Sequence, residues 1–174
     1  MKRIIYIIGG AAVLFGSFFI TLWLTEPEIA VTPQTAADGR SDTDRLAAQR
    51  ISNYSDLPKA AQSVGLRFSA RMKGFIDGIS RINEREVNMA GWLADPEGNS
   101  TPLNLLVFID GPMVAAAKTK GERPDVTNAI HLGFGAEKNV AFSLNFNCRP
   151  GDQPVVVGVG ERNQYFDLQS KKCP

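Results

Sequence analysis

Histidine occurs once in 174 residues and cysteine and tryptophan twice each; each scarcity closes off a class of chemistry. A Ser–His–Asp relay would have to use His131, yet no Gly-x-Ser-x-Gly elbow accompanies it. In the loop Ile130-His131-Leu132 it reads as a solvated or hydrogen-bonded residue rather than a base. No His/Cys cluster has zinc spacing, and no Cys-x-x-Cys pair offers a low-pKa thiol for redox work. Neither Gly133-Phe134-Gly135 nor Gly158-Val159-Gly160 continues into a phosphate loop, so both read as bulges or tight strand positions. Charge of one sign is not in excess either: 19 Lys and Arg stand against 18 Asp and Glu, without basic clusters. Nucleic acid, which demands clustered cations, is therefore not an expected partner. No cofactor, metal or catalytic set is expected.

Charge of either sign is absent from residues 4–24, IIYIIGGAAVLFGSFFITLWL. A helix of that length spans roughly 30 Å, the hydrocarbon thickness of a bilayer. Tyr6 and Trp23 lie near its ends, Lys2 and Arg3 precede it, and Glu26 and Glu28 follow. The positive-inside rule then keeps residues 1–3 in the cytoplasm and places everything beyond the span outside. A cleaved signal peptide is the alternative, with an apolar region of about 7–15 residues and a small-x-small site close behind. Here the run is longer and Glu28 spoils the site ending at Ala30. Within the span, Ala12 and Gly16 form one small-xxx-small step, a candidate for packing against a neighbouring helix. The lipid bilayer is thus the first expected partner.

Residues 25–65 read as a linker or stalk. A Pro/Thr/Ala spacer is followed by a Ser41–Asp44 capping signature and two short helical stretches, DRLAAQRI and Pro58 to Val64. From residue 66 to 174 the pattern has period two. Phe142, Leu144, Phe146 and Cys148 alternate with Ser143, Asn145 and Asn147, giving a strand with one buried and one wet face. Leu103, Leu105, Val107 and Ile109 form a second inward row, ending in the turn Asp110-Gly111 with Met113–Ala117 as its hairpin partner. Gly74–Ser80, Val87–Leu93, Pro154–Val159 and Gln164–Leu168 supply the rest, and Pro124–Ile130 is the one helical interruption. The expected fold is all-β: an immunoglobulin-like antiparallel β-sandwich preceded by one transmembrane α-helix and a short stalk.

Two cysteines in an exported domain favour one disulfide, Cys148–Cys173, over free or intermolecular thiols. Closing about 25 residues, it contributes on the order of 3 kcal/mol in the chain-entropy view. Arg123-Pro124-Asp125 offers an ion pair that pins a long connection, its charges meeting each other or backbone groups. Trp92 has two readings, the core tryptophan of the sandwich or a stacking platform for a sugar. Asp95, Glu97 and Asn99 around Gly98 read as a hairpin turn, since the closing Glu of a calcium loop is missing.

Gly74-Phe-Ile-Asp-Gly78, Gly91-Trp-Leu-Ala-Asp-Pro96, Val107-Phe-Ile-Asp-Gly111, Arg123-Pro-Asp-Val126 and Gly133-Phe134 follow one another in that order. Over about residues 72–160 this resembles a bacterial β-sandwich module with a GWxAD…DG…RPDV…GF rhythm, found in envelope proteins and beside glycosyltransferase regions. The chain departs from that form at Leu93 and in carrying the two cysteines. The resemblance implies an accessory or binding module with no catalytic residues to carry over. In a bacterial host the sequons at Asn53 and Asn99 carry no meaning. The expectation is a periplasmic module anchored in the inner membrane that scaffolds another membrane or periplasmic protein, as an accessory subunit. Binding of an envelope polysaccharide through Trp92 is the alternative, and an enzyme the least expected reading.

Overall fold

The computed structural model describes residues 41–96, 102–130 and 139–174. The apolar stretch 4–24 with Ala12 and Gly16, His131, Gly133-Phe134, and Glu97 to Asn99 lie outside the described residues. Among the described residues no helix is long and apolar enough to cross a membrane.

All seven expected strands form, together with a two-residue strand ahead of them. The order is α1 (Asp42–Ala47), α2 (Leu57–Ser63), β1 (Arg67–Phe68), β2 (Lys73–Arg81), β3 (Glu86–Ala94), β4 (Asn104–Phe108), β5 (Met113–Lys118), α3 (Pro124–Ile130), β6 (Ala141–Asn147), β7 (Val155–Gly160) and β8 (Gln164–Leu168). They build two sheets, β1-β8-β7-β4-β5 and β2-β3-β6. Every pairing is antiparallel except that of β1 with β8. The architecture is a β-sandwich.

Turn chemistry sets the hairpins. Asp110 and Gly111 both take positive φ, 51° and 111°, as the Asp-Gly dipeptide between β4 and β5 requires. The β7–β8 turn uses Arg162 and Asn163 at φ 60° and 57°, a pair whose composition gives a much weaker signal. Between the sheets lie Val87, Met89 and Leu93 of β3 and Phe142, Leu144 and Phe146 of β6. They meet Leu105 and Val107 of β4, Val156 of β7 and Leu168 of β8.

The stalk expectation is corrected. Residues Gly39–Pro174 form one compact unit, and α1 and α2 lie against the five-stranded sheet rather than standing apart from it. Leu46, Ile51, Leu57, Ala61, Val64 and Leu66 are buried with Leu106, Phe108, Val155, Val157 and Tyr165 in a second core. The physical reason lies in the strands themselves. β4 (Leu105-Leu106-Val107-Phe108) and β7 (Val155-Val156-Val157) are buried residue after residue, so both faces of that sheet need cover. α1 and α2 supply it, making three layers: helices, five strands, three strands. Tyr54, from the segment joining the two helices, locks this layer down. Its hydroxyl lies 2.6 Å from Leu168 O and 3.2 Å from Pro154 O, and it accepts the amides of Val156 and Ser170 at 3.2 and 3.1 Å.

Candidate interaction surfaces

The three-stranded sheet carries a wet outer face, and register places its side chains in rows. Phe75 stands opposite Trp92, and Trp92 opposite Ala141; Gly78, Ala90 and Ser143 form the next row, then Ser80, Asn88 and Asn145. Trp92 is half-buried on this outer face and absent from the core between the sheets, so its core reading is corrected. The reason is parity: Val87, Met89, Gly91 and Leu93 take the inner side of β3, and Trp92 is out of phase with them. Phe75, which sequence reasoning did not single out, is 57% exposed beside it. The Asn88 amide bonds Ser143 Oγ at 2.9 Å and Asn145 Oδ1 at 2.8 Å, tying β3 to β6 on the solvent side.

An irregularity in β2 between Ile76 and Gly78 falls at Asp77, which accepts Arg123 Nη1 at 2.6 Å. Arg123 also holds Asp125 in a fork, Nε to Oδ1 at 2.9 Å and Nη2 to Oδ2 at 2.7 Å. Pro124 opens α3, whose amides at Val126 and Thr127 return to Arg123 O at 3.0 Å. The Asp77 bond thus pins the start of α3 to β2. Hydrogen bonding to Arg123 draws the Asp125 carboxyl down to about 2. The bond to Asp125 raises the guanidinium above its ordinary value; burial opposes it, and the bond to Asp77 adds to the rise. Doubly paired, this group is an ordering device. The Asp77 partner was invisible in sequence because it lies 46 positions away, and no local pattern marks it.

Cys148 and Cys173 are bonded, with Cα atoms 6.3 Å apart. The bond joins the end of β6 to the chain beyond β8, where Cys173 N–H donates to Asp152 O at 2.8 Å. Among the described residues no three His, Cys, Asp or Glu side chains gather as a metal site would need. Near the disulfide, an open depression of about 660 Å³ carries charges of both signs, Arg85 and Arg149 with Glu84, Asp110 and Asp152. A smaller groove of about 300 Å³ runs between α1 and β5. Compared with known proteins, the chain matches no protein-family model, no curated protein and no solved structure.

Proposed function

We propose that the chain is a non-catalytic interaction module of immunoglobulin-like type, held at the outer face of a bacterial inner membrane and serving a membrane or periplasmic protein partner as an accessory subunit. The disulfide carries this reading most directly. A bond between Cys148 and Cys173 persists in oxidising compartments and is rare in reducing ones. It agrees with an uncharged stretch at residues 4–24, preceded by Lys2 and Arg3, acting as a signal anchor. The immunoglobulin-like class is supported by strand order: β2-β3-β6 faces β8-β7-β4-β5, with the chain changing sheets between β3 and β4, β5 and β6, and β6 and β7. The resemblance to the envelope β-sandwich module points the same way.

The test is purification of the full chain from its own membranes in mild detergent. The expected result is stoichiometric co-purification of another membrane or periplasmic protein; a solitary monomer would speak against the module. Polysaccharide binding is a second reading, favoured by Phe75 beside Trp92 on one open sheet face, since flat aromatic surfaces suit sugar stacking. Under that reading Trp92→Ala abolishes retention on envelope polysaccharide without lowering the melting temperature.

A further inference from the structure

The five-stranded sheet ends at β5, with β6 of the facing sheet close beside it and joined to the chain beyond β5 by Lys120 N–H to Ala141 O at 2.6 Å. Thr119 N–H donates to Leu103 O at 2.9 Å, and register pairs Leu105 with Ala117 and Val107 with Ala115. Along an antiparallel pair the backbone groups alternate in direction. Those of Ala115 and Ala117 therefore face β4, and those of Ala116 and Lys118 face away from the sheet. Among the described residues no other strand pairs with β5, and no backbone carbonyl elsewhere takes the amides of Val114, Ala116 or Lys118.

Edges of this kind are ordinarily blunted by charge, proline or a covering element. β5 reads Met-Val-Ala-Ala-Ala-Lys, with its one charge at the far end. Met113 and Val114 are 37% and 39% exposed. Alongside runs α1, oriented antiparallel to β5. Thr43 lies 3.4 Å from Asn104, across from Lys118, while Ile51 just past the helix bridges to Gly111 before β5 begins. The groove between them is floored by Leu106 and Ala116 and flanked by Thr43, Ala47, Met113 and Lys118. At its Lys118 end, the Asp44 carboxylate is taken up by the Ser41 hydroxyl at 2.7 Å. Lys118 has no ion-pair partner among the described residues.

We propose that β5 receives an extended segment of a partner protein as an added antiparallel strand. One apolar side chain of that segment enters the groove beneath α1, and a carboxylate near the segment's N-terminal end meets Lys118. Backbone hydrogen bonds along the edge supply affinity and alternate side chains supply selectivity, the mode of β-augmentation. Direction follows from geometry: an antiparallel strand begins where β5 ends, at Lys118. A second copy of β5 is a poorer occupant, for its Ala116 would place only a methyl group in a groove of about 300 Å³. The inference rests on reading the domain as a protein-binding module and names the surface that does the binding.

The test uses the full chain in mild detergent and three fluorescein-labelled peptides: Asp-Val-Thr-Val-Thr-Val, the same with Lys in first place, and the first peptide N-methylated at alternate amides. Fluorescence polarisation should show binding of the Asp-led peptide, weaker binding of the Lys-led one and none of the N-methylated one. Ala116→Pro removes an outward N–H, which a sheet edge tolerates, and should weaken the Asp-led peptide by about tenfold. Lys118→Glu should reverse the charge preference, a readout independent of how Ala116→Pro folds. Equal binding of all three peptides, or an unchanged preference in Lys118→Glu, overturns the proposal. So does a dimer that Ala116→Pro dissociates while no peptide binds. Failure of the module reading looks different: wild-type chain then purifies without any partner. If Ala116→Pro captures the native partner as wild type does, the edge is refuted and the module stands.

Discussion

A methyl group added at Gly158 provides a sharp probe of how the two sheets meet. Gly158 lies in β7, and a Cβ built there would come within 2.5 Å of Leu93 Cδ2 and 2.8 Å of Cδ1, with no backbone atom among its nearest neighbours. Leu93, in the facing sheet, is fully buried. Its side chain occupies the space that the missing Cβ leaves. Gly158→Ala should therefore overpack the core and cost about 1–3 kcal/mol. Leu93→Ala alone should cost about 2–5 kcal/mol, as deletion of a buried leucine does. In the double variant the new methyl enters the space vacated by Leu93, so the combined cost should fall short of the sum by at least about 1 kcal/mol, a coupling typical of residues in contact. Gly91→Ala is the contrasting control. Its Cβ would collide with the backbone carbonyl of Phe75 as well as with the Phe142 ring, so trimming Phe142 should not rescue it. Urea unfolding of the 39–174 unit under non-reducing conditions reads all of these. Additivity of Gly158→Ala and Leu93→Ala within about 0.5 kcal/mol would refute the packing argument.

Tyr54→Phe removes a hydroxyl that serves backbone groups of Val156, Leu168 and Ser170; a loss of about 1–3 kcal/mol is expected, read by the same unfolding experiment. Cys148→Ser should cost about 3 kcal/mol through the lost closure of 25 residues, and an unchanged non-reducing melt would falsify the structural role of the bond. The Asp125 carboxyl should titrate near about 2 by carbon-detected NMR and move up towards the ordinary carboxylate value in Arg123→Gln. The folded-state value is depressed, so the stabilisation is present above the unfolded carboxylate pKa and is lost as pH falls through the folded one. Loosening of the α3 junction is thus expected below about pH 4 and not on the alkaline side.

The strands were legible because burial in a sandwich imposes period two, most plainly along β6, where Phe142, Leu144 and Phe146 are buried and Ser143 and Asn145 exposed. The Asp110-Gly111 turn was legible because few residues accept positive φ cheaply. The helical layer was misplaced although its signal was present. Leu57, Ala61 and Val64 fall at helical i, i+4, i+7 spacing, and the unbroken apolar runs of β4 and β7 mark a sheet covered on both faces. Each half of that signal is meaningful only with the other. Arg123–Asp125 could be read locally, whereas Asp77 and the hydroxyl role of Tyr54 could not, because both join residues far apart in sequence by directional bonds that leave no periodic trace.

Orientation across the membrane tests the central claim most directly. Protease added to intact spheroplasts should degrade the 39–174 domain, while inside-out vesicles from the same cells should protect it. Digestion only in the inside-out vesicles would contradict the account, placing the Cys148–Cys173 sandwich in the cytoplasm.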